Sequence, residues 1–122
     1  MRKRTILIVD DEPDVLKTLR DQVCSFGYDV REAPDAESAL LVLRSGDPID
    51  LVITDMRLPG MSGIDLLGEV RREASVVPVI MLTGHGSIES YIETQSRGVF
   101  EYINKPVRAA ELKRIIGTAF DQ

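Results

Sequence analysis

Short apolar runs alternate with amphipathic stretches along the whole chain. Five runs have the length and the β-branched content of strands: 5–9 (TILIV), 28–32 (YDVRE), 50–54 (DLVIT), 78–82 (PVIML) and 100–104 (FEYIN). The first, third and fourth runs are almost continuously apolar, which is typical of central strands covered on both faces. The second and fifth runs mix apolar and polar positions, which indicates edge strands.

Apolar residues recur at helical spacing after each run, and boundary residues flank several of these stretches. The stripes are Val15, Leu16, Leu19, Val23 and Phe26; Ala39, Leu40 and Leu43; Ile64, Leu67 and Val70; Ile88, Tyr91 and Ile92, which is the weakest; and Leu112, Ile115, Ile116 and Ala119. Pro13 and Gly27 are typical of a helix start and a helix end. Ser62 is a predicted N-cap of the third helix, with Asp65 three residues later.

This alternation predicts right-handed βαβ units, and therefore a parallel sheet with helices on both faces. The 122 residues contain no linker, internal repeat or shift in composition. We expect one doubly wound α/β domain over residues 1–122.

Composition and charge narrow the function classes. A hydrophobic content of 43% supports one core, and a single cysteine, Cys24, excludes an intramolecular disulfide and a thiolate metal cluster. We expect Cys24 to be a small core side chain. The formal net charge of -5 argues against direct nucleic-acid binding. The basic start (Arg2, Lys3, Arg4) lacks the apolar stretch of an export signal, and no apolar run could span a membrane, so we expect a cytoplasmic location.

Polar residues stand where the predicted strands end. Asp10 and Asp11 follow the first strand, Asp55 the third and Thr83 the fourth, while the fifth leads into Lys105. In an open α/β sheet the carboxyl ends of the strands are where ligands bind. Clustered carboxylates repel one another unless a hard cation such as Mg²⁺, with Lys105 as a fixed counter-charge, neutralises them. A carboxylate nucleophile, Mg²⁺, a hydroxyl and a lysine together suit phosphoryl transfer.

Simpler interpretations of the same residues stay open at this point. Asp55 has the position of a turn acid or a helix N-cap before a Pro-Gly turn, and Asp10 and Asp11 suit the positive end of the first helix dipole. Lys105 alone would be a surface lysine. The only histidine, His85, is expected to be a solvated loop residue near the site, and without a His or Cys companion it does not indicate zinc.

Four segments together resemble the receiver domain of two-component response regulators: ILIVDDE (6–12), LVITDMRLPGMSG (51–63), VIMLTGHG (79–86) and YINKP (102–106). The resemblance implies a flavodoxin-like fold, in which five helices surround a five-stranded parallel sheet of order 2-1-3-4-5. It also implies that Asp55 is the phosphoryl acceptor and that Mg²⁺ is held by Asp10, Asp11, Asp55 and the backbone carbonyl of Arg57.

The resemblance assigns roles to the remaining site residues and to partners. Thr83 would hydrogen-bond the phosphoryl group, and Lys105, positioned by a cis Lys105–Pro106 peptide bond, would form an ion pair with it. Tyr102 would move with Thr83 as a switch. Such a domain is a phosphoacceptor in signalling, not an enzyme with a separate substrate. It would receive its phosphoryl group from a sensor histidine kinase or a phosphotransfer protein. Its surface formed by the fourth helix, fifth strand and fifth helix would then act on an output domain, an effector protein or, in a phosphorylation-dependent homodimer, a second copy.

Other classes fit less well. A haloacid dehalogenase-type phosphatase needs a DxDx(T/V) pattern at the first strand and a cap, whereas this chain has Asp10-Asp11-Glu12-Pro13. A flavin mononucleotide module would place phosphate against these acids, and no GxxxxGK motif supports nucleotide hydrolysis. The alternative left open is a degenerate receiver that binds a partner without being phosphorylated.

Overall fold

Strands and helices alternate strictly through residues 2–84 and 86–121, the part of the chain that the computed structural model describes. The elements are β1 (Thr5–Val9), α1 (Pro13–Ser25), β2 (Asp29–Ala33), α2 (Ala36–Arg44), β3 (Leu51–Asp55), α3 (Gly63–Glu73), β4 (Val79–Thr83), α4 (Ile88–Ser96), β5 (Glu101–Asn104) and α5 (Ala109–Phe120). All neighbouring strands are parallel, in the order β2-β1-β3-β4-β5. The predicted doubly wound fold, its strand order and its two edge strands are confirmed.

Strand boundaries differ from the predicted ones by one residue. β1 matches its prediction, whereas β2, β3 and β4 each begin and end one residue later. Pairing between strands sets these limits, because Asp55 lies opposite Leu82 and Thr83 lies opposite Asn104. Asp55 and Thr83 are therefore the last residues of their strands and not the first residues of loops.

Helix ends follow the expected local chemistry, with one correction inside α1. Ser62 caps α3, since its Oγ accepts the backbone N–H of Asp65 at 3.1 Å. Gly27 follows α1 with a φ of 99°, a conformation that glycine adopts without strain. The expectation that Cys24 lies in the core is wrong, because its side chain is exposed. It follows the buried Val23 by one residue, about 100° further round the helix, and so faces outward.

Two apolar layers cover the sheet, one on each face. Alternate residues of β1, β3 and β4, such as Ile8, Ile53 and Leu82, pack with the apolar stripes of α1 and α5. The residues between them, such as Leu7 and Val52, pack with α2 and α3. Both faces are filled because each strand of a parallel sheet alternates its side chains between two helical layers.

Helix α4 is attached more loosely than the other helices. Thr94 is its one buried residue, while Ile88, Tyr91 and Ile92 are 79%, 49% and 60% exposed.

No helix within the described residues is both long and apolar enough to cross a membrane. The Lys105–Pro106 peptide bond is cis, as the resemblance implies.

Candidate functional site

The carboxyl ends of four neighbouring strands form one polar edge of the sheet. Asp10 directly follows β1, Asp55 ends β3, Thr83 ends β4 and Lys105 directly follows β5. Because these strands are parallel and adjacent, residues that are up to 95 positions apart in the chain meet here. The sequence places each residue at a strand end, and the strand order places the ends side by side.

Three carboxylates cluster at this edge. One carboxylate oxygen each from Asp10, Asp11 and Asp55 lies within 4.8 Å of the other two. Asp10 is 1% exposed, Asp55 is partly buried and Asp11 is exposed, so the cluster opens to solvent on one side. Hard oxygen donors in this number, with room for waters, are the ligand set that Mg²⁺ prefers. The donor chemistry therefore fits the predicted magnesium site.

Lys105 supplies the positive charge next to the cluster. Its Nζ lies 3.2 Å from Asp10 Oδ2, to which it donates a hydrogen bond, and 3.6 Å from Asp55 Oδ2. The lysine side chain is 26% exposed, so it connects the buried Asp10 with the solvent-facing side of the site. Its backbone N–H donates to the carbonyl oxygen of Thr83 at 2.7 Å, which ties it to the end of β4.

The carboxylate of Asp55 is held in a partly desolvated position. Burial, and next the charge of Asp10, raises the pKa of Asp55 above its ordinary value, although Lys105 opposes the rise. Folding therefore makes the ionised form of this carboxyl less favourable than it is in the unfolded chain. Added positive charge would stabilise this carboxylate, and reaction with an electrophile would remove its charge. Both properties suit a nucleophile that works with a metal ion.

Thr83 and Tyr102, the two residues with a predicted switch role, lie on the adjacent strands β4 and β5. Thr83 is 1% exposed and closes β4, while Tyr102 lies opposite Met81 in β5 and is half-buried. The hydroxyl of Tyr102 points to the start of α4, where it lies 2.6 Å from Ser90 Oγ. A phosphoryl role for Thr83 and a switch role for Tyr102 stay predictions.

Two further residues of the predicted site have less defined contacts. The backbone N–H of Arg57 approaches Asp55 Oδ1 at 3.5 Å, and its side chain is exposed. The metal-binding role of its backbone carbonyl stays a prediction. His85, expected beside the site, lies outside the described residues.

The simpler interpretations can now be separated. Asp55 does not cap a helix, because Ser62 caps α3. Asp10 does serve the start of α1 in part, since its Oδ1 accepts the backbone N–H of Glu12 at 2.9 Å. Lys105 is not a free surface lysine, because both of its ion pairs belong to the acidic cluster.

The sequence reasoning missed two positioning residues. Gly63 begins α3 against the backbone of Asp55, where an added Cβ would lie 2.0 Å from the Asp55 carbonyl oxygen. The Ser-Gly step before a helical stripe was the available signal for this close approach. Ser90, which contacts Tyr102, had no signal in the sequence, because a serine in the first turn of a helix is ordinary.

Comparison with known proteins gives one family. The sequence model described as "Response regulator receiver domain" matches residues 6–117. The response regulator protein PilR of Pseudomonas aeruginosa is 36% identical over 119 residues, which are 98% of this chain and 26% of that protein. Chemotaxis protein CheY-3 of Vibrio cholerae is 38% identical over 120 residues, which are 96% of this chain and 92% of that protein. The chain therefore spans about a quarter of PilR and nearly all of CheY-3.

Solved structures agree in fold. A response regulator receiver domain protein from Clostridium thermocellum superposes with a TM-score of 0.92 at 35% identity, covering 97% of this chain and 94% of that one. The response regulator TrrA of Thermotoga maritima, solved with Mg²⁺ and BeF, gives a TM-score of 0.86 at 33% identity, covering 95% of this chain and 98% of that one.

Proposed function

This chain belongs to the response regulator receiver domain family, and we propose that it is a phosphorylation switch with Asp55 as its phosphoryl acceptor. One observation carries the proposal: the Asp55 carboxylate lies 3.6 Å from Lys105 Nζ and within 4.8 Å of carboxylate oxygens of Asp10 and Asp11. A turn acid would need none of these partners, whereas a nucleophile that meets an anionic phosphoryl group needs positive charge beside it. Residues 1–122 make up the receiver domain in this proposal.

The transfer step uses groups that the site already holds. An oxygen of Asp55 attacks the phosphorus, and the bond from phosphorus to the donor breaks, with its electron pair leaving on the donor's imidazole nitrogen or acyl oxygen. The product is an acyl phosphate on Asp55. Lys105 Nζ, between Asp55 and Asp10, stays close enough to pair with an oxygen of the new phosphoryl group, and the hydroxyl of Thr83 donates to another.

A magnesium ion completes the proposed site. Asp10, Asp11 and Asp55 would hold it, together with the backbone carbonyl of Arg57. When bound, it supplies positive charge that offsets the repulsion between the carboxylates and the incoming phosphoryl oxygens. Asp10 also keeps Lys105 in place through its 3.2 Å hydrogen bond, so the lysine is oriented before the donor arrives.

The proposed output is a change at the surface formed by α4, β5 and α5. Thr83 ends β4 and Tyr102 lies in β5, so movement at the phosphoryl group reaches this surface through adjacent strands. Exposed Ile88, Tyr91 and Ile92 give it an apolar patch that suits a protein partner. The proposed phosphodonor is a sensor histidine kinase or a phosphotransfer protein. The proposed target is an output domain, an effector protein or a second copy, and the proposed location is the cytoplasm.

Intact-protein mass spectrometry after incubation with acetyl phosphate and Mg²⁺ tests this function. We expect one phosphoryl group to be added to the wild-type protein and none to the Asp55→Asn variant. Asp65→Asn is the matched control, because it makes the same Asp-to-Asn change in the first turn of α3, at a residue outside the carboxylate cluster. Unmodified wild-type protein, or a phosphoryl group that persists in Asp55→Asn, would favour the degenerate receiver that acts without phosphorylation.

A further inference from the structure

The hydroxyl of Tyr102 is bound into the first turn of α4. It lies 2.6 Å from Ser90 Oγ, and the backbone N–H of Ser87 donates to it at 3.3 Å. The ring of Tyr91 meets the ring of Tyr102 edge to face, with centroids 5.6 Å apart and an interplanar angle of 86°. A strand residue is thus connected to the helix terminus by three contacts.

Ser87 and Ser90 form a complete capping box, and the hydroxyl of Tyr102 contacts both residues. Ser87 Oγ accepts the backbone N–H of Ser90 at 3.0 Å, and Ser90 Oγ accepts the backbone N–H of Ser87 at 3.1 Å. A serine hydroxyl has one proton and two lone pairs. Ser90 Oγ also accepts from Ser87 Oγ at 3.0 Å and lies 3.1 Å from the Ser87 carbonyl oxygen. In its 2.6 Å hydrogen bond with Tyr102, either hydroxyl can donate the proton. We call Ser87, Ser90 and Tyr102 the α4 cap network.

The network matters because, within the part of the chain that the structure describes, the first turn of α4 has no buried side chain of its own. Thr94 is the helix's one buried residue, and it lies in the last turn, whereas Ile88 in the first turn is 79% exposed. Gly86, two residues before α4, also lies close to β5, since a Cβ at this position would lie 2.9 Å from the Tyr102 hydroxyl and 2.3 Å from Asn104 Oδ1. The position of the Tyr102 hydroxyl and the position of the first turn therefore depend on each other.

We propose that Ser90 is a positioning residue that couples Tyr102 to the first turn of α4, so that the two change position together. This inference rests on the proposed function for its purpose, because a switch at Tyr102 then alters α4 directly through Ser90. Loss of the Tyr102 hydroxyl removes one acceptor from the backbone N–H of Ser87 and one hydrogen-bond partner from Ser90 Oγ at the same time. Neighbouring apolar side chains of α4 would move with the turn.

Amide hydrogen exchange in the unphosphorylated, metal-free protein tests the coupling. Tyr102→Phe keeps the ring and removes the hydroxyl, and we expect the Ser87 and Ser90 amides to exchange about fivefold faster, the equivalent of about 1 kcal/mol. Ser90→Ala should shift the Tyr102 ring carbon resonance next to the hydroxyl, and Ser90→Thr should restore it. The double variant should exchange no faster than Ser90→Ala alone.

Ser96→Ala is the matched control, since Ser96 lies in the last turn of the same helix and its hydroxyl donates to the Glu93 carbonyl oxygen of that helix at 2.7 Å. Unchanged exchange in Tyr102→Phe, or effects of the two single variants that multiply in the double variant, would overturn the coupling.

A second measurement separates this inference from the proposed function. Beryllofluoride with Mg²⁺ should shift amide resonances near Asp55 and in α4 of the wild-type protein. In Tyr102→Phe the shifts near Asp55 should persist while those in α4 fall to less than half. A wild-type protein that ignores beryllofluoride refutes the switch but not the cap network. Full α4 shifts in Tyr102→Phe refute the coupling but not phosphorylation.

Discussion

Replacing Asp55 with asparagine should make the metal-free protein more stable. The substitution keeps the shape of the side chain and one acceptor oxygen, and it removes one negative charge from the carboxylate cluster. Burial and Asp10 already raise the pKa of Asp55, which means that the charged form is costly in the folded state. The neutral amide avoids that cost.

The magnitude follows from the distances. Repulsion from Asp10 at 4.8 Å or less is worth at least about 3.5 kcal/mol at an effective dielectric of about 20. Attraction to Lys105 at 3.6 Å is worth about 4.5 kcal/mol on the same scale, so the two nearly cancel. Asp11 is exposed, and water screens its repulsion. What remains is the cost of burying a carboxylate whose side chain is 15% exposed, and we expect asparagine to stabilise the fold by about 1–2 kcal/mol at pH 7.

Urea unfolding at low ionic strength with a chelator measures this difference. Asp21→Asn is the control for net charge, because Asp21 lies on exposed α1 surface 3.7 Å from Arg20, and its effect should stay within about 0.5 kcal/mol. If Asp55→Asn is no more stable than wild type while the control is neutral, the reasoning that burial of the Asp55 carboxylate destabilises the metal-free fold is refuted.

The pH dependence provides an independent check on the same residue. A folded-state pKa above the unfolded one means that the folded protein binds this proton more tightly. Stability from Asp55 is therefore fully present below the unfolded pKa and is lost as the pH rises through the folded pKa. The stability difference in favour of Asp55→Asn should grow as the pH rises through the folded-state pKa and level off near neutrality. A difference that shrinks over this range would contradict the direction of the pKa shift.

Three further outcomes follow from the same geometry. Millimolar Mg²⁺ should raise the thermal midpoint of the wild-type protein by several degrees, because binding to the folded state offsets the clustered negative charge. This rise should be largely lost in Asp55→Asn. Equal rises in both proteins would argue against the proposed metal site. Lys105→Ala should lower the metal-free unfolding free energy by about 1–3 kcal/mol, because it leaves the buried Asp10 without its cation. Mg²⁺ should restore most of that stability. Even with Mg²⁺, this variant should show no response of α4 to phosphorylation. Gly63→Ala should destabilise the fold by about 2 kcal/mol or more, since its Cβ would lie 2.0 Å from the Asp55 carbonyl oxygen. Gly117→Ala in α5 should instead stabilise the fold by about 0.5–1 kcal/mol, because among the described residues no heavy atom of another part of the chain lies within 4 Å of the added Cβ.

Local features of this fold could be predicted from the sequence because they depend on neighbours in the chain. A two-residue period and a helical period decide which side chains face a core, and the N-cap role of Ser62 needs only Asp65 three residues later. The ends of the strands were predicted less accurately: β2, β3 and β4 each begin and end one residue later than the sequence indicated. Pairing with the adjacent strands decides where a strand stops. Cys24, placed in the core by its residue type, lies on the exposed side of α1.

The site was predictable as a set of residues but not as an arrangement. Asp10, Asp55 and Lys105 could be selected because each stands where a predicted strand ends. The family resemblance implied their roles and the strand order. Only the tertiary structure decided that Lys105 Nζ lies 3.2 Å from Asp10 across 95 residues, and that Ser90, in the first turn of α4, contacts Tyr102 of β5. Periodicity is a property of a segment, whereas a distance between segments is set by strand order, register and packing, and those are fixed only when the whole sheet forms.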